Sequence, residues 1–254
     1  MPGGPQPLSH EQRIALAKDI TERILAVHGE YVLAIGIYGS TARGTDGPYS
    51  DVEMLCVLRT SGEDYTYEWT PGPWKAEVNF RSQDVELREA AKVEDDWPLT
   101  HGRYCDALPT YDPDGFFAEL CSSITLQSAE AFEVSMREVM VGDMYELLGK
   151  LRNATSLSHP ADIPRLAVEL VWKGALLLGL AHRFTYFTSS TMLEQSLHLP
   201  SRPAGYDKLC TLVMGGYLAD GFAVADACEA FWNGVEQWAA ERMLILEEPR
   251  RIPF

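Results

Sequence analysis

Apolar residues recur along this chain in two rhythms. Ile14, Ala17, Ile20 and Ile24 fall at helical spacing behind Ser9 and Gln12, a pair spaced as a capping box, and predict a helix over residues 10–28. The run YVLAIGIY, Tyr31–Tyr38, is continuously apolar and reads as a buried strand that leaves the sheet at Gly39. Two-residue alternation then governs Asp51–Leu58 and Trp74–Phe80, with further short strands expected near 65–69 and 104–110. From about residue 128 the helical rhythm returns and persists. It predicts helices near 129–152, 162–184, 205–215 and 223–244, broken by Pro160, Pro200 and Pro203. The pattern therefore predicts an α+β chain: a mixed sheet with helices in residues 1–127 and a mostly α-helical domain over 128–254. No internal repeat is present.

The alternating segments carry the chemistry. In Asp51–Leu58 the period of two places Asp51 and Glu53 on one face and Val52, Met54 and Cys56 on the other. In Trp74–Phe80 it groups Lys75, Glu77 and Asn79 opposite Trp74, Ala76, Val78 and Phe80. Glu77 is thus a candidate third carboxylate beside the first two. Acids alternating with apolar residues also mark the wet face of a half-exposed strand, and that reading stands for Asp51 and Glu53 taken alone. The turn upstream tips the balance. Gly39 and Ser40 open a short helical turn whose backbone N–H groups, with the Ser40 hydroxyl, can receive phosphate oxygens beside the fixed charge of Arg43; Asp46-Gly47-Pro48 ends it. Magnesium takes hard oxygen ligands, usually one or two carboxylates plus substrate phosphates, which suits Asp51 and Glu53.

Composition narrows the partners. The 254 residues carry a net charge of -16, which would repel a nucleic acid. Residues 61–120 hold 14 Asp and Glu against 5 Lys and Arg, a local net of -9 that would attract a polycation. Glu68, Glu77, Asp95 and Asp96 are the acids expected around such a ligand, although acidity also serves solubility. The start, MPGGPQPLSHEQR, has no basic and apolar leader, and Leu166–Leu180 is interrupted by Glu169 and Lys173, so a cytoplasmic protein without a membrane span is expected. Five cysteines, Cys56, Cys105, Cys121, Cys210 and Cys228, are odd in number and contain no C-x-x-C pair; they read as reduced thiols in the core.

Gly-Ser, ten residues, then Asp-x-Glu between apolar residues resembles the signature of the DNA polymerase beta-like nucleotidyltransferase superfamily. The resemblance extends through IGIYGSTARGTDGPYSDVEM, EWTPGPWKAEVNF, VEDDWPLTHG, FWNGVEQW and RIPF, which are similar to the kanamycin nucleotidyltransferase family, the aminoglycoside 4'-O-nucleotidyltransferases. That resemblance implies adenylylation of an aminoglycoside hydroxyl with ATP and magnesium, release of pyrophosphate, and a homodimer whose active sites lie at the subunit interface. It implies Asp51, Glu53 and Glu77 as the acidic cluster, the first two as metal ligands and Glu77 near both metal and aminoglycoside. Gly39, Ser40, Arg43 and Ser50 match the phosphate-binding segment. Glu146 and Lys150, in MYELLGKLRN, match a general base and a phosphate-binding lysine, where spacing alone says only a surface ion pair. Glu68, Asp95, Asp96 and His101 fall at the aminoglycoside side, and Thr188 at a nucleotide contact. Val141-Gly142-Asp143 and Asp95 depart from the family pattern and bear on which aminoglycosides fit. Two rivals remain: adenylylation of another acceptor, such as a protein hydroxyl, and a nucleotide-binding regulatory domain without chemistry.

Overall fold

A computed structural model describes residues 4–59, 64–69, 75–157 and 159–244. Trp74, expected to open the third strand, and the final RIPF lie outside the described residues. The chain divides into two compact units, Met1–Lys92 with Thr100–Gln127, and Val93–Leu99 with Ser128–Phe254.

The first unit is built on a five-stranded mixed sheet. Its strands are β1 (Val32–Tyr38), β2 (Val52–Leu58), β3 (Tyr65–Trp69), β4 (Ala76–Ser82) and β5 (Leu108–Tyr111), in the order β3-β4-β2-β1-β5. Only β2 and β4 run parallel; the other neighbours are antiparallel. Helix α1 (His10–His28) starts at a capping box in which Ser9 accepts from the Gln12 amide and Gln12 returns a bond to the Ser9 N–H. It packs Ala17, Ile20 and Ile24 against Ile35, Ile37, Met54, Cys56 and Val78. Each of the Ile, Met and Val side chains contributes roughly 1.5–3 kcal/mol on burial, and Ala17 less. The opposite sheet face is covered by α3 (Gln83–Ala90), α5 (Gly102–Asp106) and α6 (Phe116–Thr125), with Leu55 and Val57 under Phe116, Phe117 and Leu120. The short α4 (Trp97–Thr100) comes between α3 and α5 in sequence, but its residues Trp97–Leu99 belong to the second unit, where Trp97 enters the core.

The segment around 104–110, expected as a strand, divides into α5 and the shorter β5. The cause is a buried polar network: the Tyr104 hydroxyl donates to Glu86 at 2.9 Å, Arg103 donates to the Tyr104 oxygen at 2.8 Å, and Glu86 is only 1% exposed. A helical turn brings these groups together, and local alternation does not outweigh it.

The cysteine expectation is corrected as well. Cys105 on α5 and Cys121 on α6 form a disulfide, while Cys56, Cys210 and Cys228 are free and buried as expected. A sequence separation of 16 gave no motif spacing; the packing of α5 on α6 brings the two together.

In the second unit α7 (Ala129–Arg137) and α8 (Tyr145–Ser156) are joined by a π-helical segment, Glu138–Met144, where one regular helix was expected. The wider turn shifts the facing of the residues that follow. Helix α9 (Ile163–His182) is apolar on nearly every side and forms the centre of the unit's core, flanked by α10 (Met192–Ser196), α11 (Tyr206–Met214) and α12 (Gly221–Glu241). Phe231, Val235 and Trp238 of α12 are part of that core. No described helix is long and apolar enough to cross a membrane.

Candidate active site

The sheet register lines up the acids. Glu68 of β3 lies opposite Glu77 of β4, Glu77 opposite Glu53 of β2, and Glu53 opposite Tyr38 of β1, so three carboxylates form one row across three strands. One pleat away stand Asp51, directly before β2, and Lys75, directly before β4. The same face of β2 runs from covered Val57 and Leu55 to half-buried Glu53 and Asp51, where α3, α5 and α6 no longer cover it. The acids therefore stand at the open end of a packed face.

Like charges in a row cost free energy unless a cation joins them. Lys75 Nζ is 2.6 Å from Glu68, 3.8 Å from Asp51 and 3.9 Å from Glu77. The Glu68 hydrogen bond, opposed by slight desolvation, holds the ammonium's pKa above its ordinary value. Glu53 is less well served: burial first, then Asp51 and Glu77, push its carboxyl up to about 7. Tyr38 is likewise raised, by burial and by the charges of Glu53 and Glu77. Among the described residues no group of three or more His, Cys, Asp or Glu is gathered as a metal-ion site. The fit to a divalent cation rests instead on Asp51 and Glu53, an oxygen pair whose inner member is only partly offset by the charges of Arg43 and Lys75. Gly39 makes room for it. Its φ is +72°, and a Cβ there would stand 2.2 Å from Glu53 Oε2.

Helix α2 (Gly39–Arg43) follows β1 directly and ends at Gly44. Arg43 on its last turn pairs with Asp106 of α5 at 2.9 Å. The loop from α2 to β2 is held by Arg13, a guanidinium only 1% exposed, which donates to Asp46 at 2.7 Å, to the Pro48 carbonyl at 2.6 Å and to the Ser50 carbonyl at 2.9 Å. Ser50 in turn accepts from the Gly47 amide at 3.0 Å. Helix α1 thereby fixes the approach to Asp51.

In the second unit Glu146 and Lys150, one turn apart on α8, pair at 2.7 Å. The Lys150 partner holds the Glu146 carboxyl below its ordinary pKa. Both line a cleft of about 360 Å³ with Asp143, Glu169, Trp172 and Lys173. Lys173 bridges Asp95 at 2.9 Å and Asp143 at 2.7 Å. Asp143 lies in the π-helical segment, so that irregular turn places an acid in the cleft. Thr188 is exposed in a turn and accepts from the Ser190 amide at 3.2 Å. Asp96 is exposed directly before α4.

His101 stands apart from the acidic row. It is 6% exposed, its Nε2 lies 3.1 Å from the Glu89 carbonyl, and burial above all lowers its pKa to about 4, so the ring is neutral near pH 7. Asp106 and Lys173 were not given a role from the sequence, and Asp143 was marked there only as part of a departure from the family pattern. Lys75 and Asn79 shared the face of Glu77 by alternation, the one signal that pointed to them.

A solved nucleotidyltransferase-like protein from Exiguobacterium sibiricum has a TM-score of 0.56 with this chain at 12% identity, covering 89% of this chain and 76% of that one. The fold is therefore that of a nucleotidyltransferase. Residues 114–245 match the family model of the KNTase C-terminal domain. An aminoglycoside nucleotidyltransferase (4') of Staphylococcus aureus is 40% identical over 251 residues, 99% of each chain, and one from a Bacillus species matches to the same extent. The chain belongs to the aminoglycoside nucleotidyltransferase (4') family.

Proposed function

We propose that this protein transfers AMP from ATP to the 4'-hydroxyl of an aminoglycoside, releases pyrophosphate and so confers resistance to the antibiotic. The observation that carries this reading is the identity of 40% with the (4') enzymes over 99% of the chain. The carboxylate row Glu68–Glu77–Glu53 supports it, because a polycationic sugar gains from a concentrated negative face while a polyanionic template would be repelled.

Asp51 and Glu53 would hold magnesium, which when bound offsets triphosphate charge and polarises the α-phosphate. Gly39, Ser40 and Ser50 line the phosphate side, and Arg43, steadied by Asp106, adds a fixed positive charge there. Glu77, Glu68, Asp95 and Asp96 attract the ammonium groups of the aminoglycoside; Thr188 contacts the nucleotide, and His101 supports the aminoglycoside side from within. Glu146 accepts the proton of the attacking hydroxyl. Its ion pair with Lys150 makes it a weak base at rest, and when Lys150 turns to a phosphate oxygen the carboxylate regains basicity where the proton is lost. Transfer is direct and in line, with no covalent enzyme intermediate.

The family resemblance supports a homodimer with active sites at the interface, acting in the cytoplasm. Sedimentation at twice the 28.3 kDa chain mass is expected, and a monomer under assay conditions would contradict the dimer. The base assignment is tested by Glu146→Gln, which keeps the shape and removes the basicity. It should lower kcat at least about tenfold with substrate KM little changed; near-normal turnover would remove Glu146 from that role.

A further inference from the structure

The acidic row has a support one pleat behind it. Asn79 of β4 lies two residues beyond Glu77 on the same face and is 8% exposed. Its Nδ2 donates to Glu77 Oε1 at 2.9 Å and to the Tyr38 hydroxyl oxygen at 2.8 Å, while its Oδ1 accepts from the Thr66 hydroxyl at 2.6 Å. The carboxamide can sit only this way round. A carboxylate accepts and does not donate, so nitrogen must face Glu77, and the Thr66 proton then requires the oxygen on the other side. Both N–H groups and the oxygen are satisfied, and each partner belongs to a different strand position: Thr66 on β3, Tyr38 on β1, Glu77 on β4 itself.

We infer that Asn79, oriented by Thr66, is a positioning residue that fixes the rotamer of Glu77 and so aims its other oxygen into the site. Glu77 Oε2 is the oxygen that faces Lys75, at 3.9 Å, on the side of Asp51. Without the amide, Glu77 keeps only the long Lys75 contact in a row of like charges and turns away from Glu53 and Glu68 toward water. Precise aim matters because a misplacement of about 1 Å at a positioning group lowers turnover by about a hundredfold in enzymes generally. This inference rests on the reading of Glu77 as part of the substrate site.

The test is a mutant cycle in the full-length protein, reading kcat/KM for aminoglycoside adenylylation together with thermal unfolding. Glu77→Ala reports on the underlying reading and should lower kcat/KM clearly. Asn79→Ala should lower it about tenfold, the effect of one hydrogen bond to a charged group, and Thr66→Val, which keeps the shape and removes the donor, about threefold. In the Glu77→Ala background both second changes should have no further effect, which a general loss of stability would not produce. If Glu77→Ala leaves activity intact, both the site reading and this inference fall. If Glu77→Ala is impaired while Asn79→Ala is normal, or its loss repeats in full without Glu77, only the positioning role is overturned. Should Asn79→Ala not fold, Thr66→Val and its double variant decide by the same comparison.

Discussion

Glu53 shows how one residue records what its surroundings are built to hold. Its carboxyl lies against Gly39, under partial cover, with Asp51 and Glu77 as neighbours, and it titrates at about 7 against an ordinary 4.5. Without metal, the folded chain therefore keeps a proton between pH 4.5 and 7 that the unfolded chain releases. Folded binding of the extra proton means that this group's contribution to stability is fully present below pH 4.5 and is lost as pH rises to about 7. Glu53→Gln stays neutral throughout. Urea unfolding in a chelating buffer should find the stability advantage of Glu53→Gln over the parent growing across that window and level above it. Parallel curves would mean that Glu53 is not under this strain. The sequence revealed Glu53 by alternation and offered Glu77 as a neighbour, but the charge stress depends on burial and on the parallel register that sets Glu53 opposite Glu77, which is not written in either segment alone.

At the scale of elements, the hydrophobic pattern located α1, β1, β2, β3, β4 and the long helices of the second unit, through alternation, helical spacing or, in β1, an unbroken apolar run. It did not reveal α3, α5 and α6, whose eight, five and ten residues give at most four buried apolar positions to read a pattern from; Tyr104 on α5 is held by Glu86 and Arg103 rather than by a stripe. The π-helical turn at Glu138–Met144 escaped for a related reason: it inserts into a continuous helical rhythm without a proline or other break. The Cys105–Cys121 bond joins two of these unannounced helices, and α5 also carries Asp106, the partner of Arg43. Closing a loop of this length contributes about 3 kcal/mol in the chain-entropy model. Reduction, or Cys105→Ser, should therefore lower the denaturation midpoint with a loss of up to about 3 kcal/mol. An unchanged midpoint after reduction would show that the α5–α6 packing holds without the link.

For the whole molecule, two bodies of chemistry are distributed over two compact units: carboxylates, Lys75 and the Gly39–Arg43 turn on a sheet in the first, and the Glu146–Lys150 pair over an acidic cleft in the second. In the first, Asp51, Glu53 and Glu77 were legible from alternation together with the Gly39-Ser40 turn, and Glu68 from the local excess of acids. The second was not, since Glu146 and Lys150 look like any exposed ion pair, and only the family resemblance gave them roles. Adenylyl transfer to an aminoglycoside is read most directly by mass spectrometry of the products. The protein is incubated with ATP, magnesium and a panel of aminoglycosides that bear or lack the 4'-hydroxyl. One added adenylyl group is expected on members with that hydroxyl, none on the others, and none with Asp51→Ala. Absence of the adduct from every member of the panel would contradict adenylyl transfer.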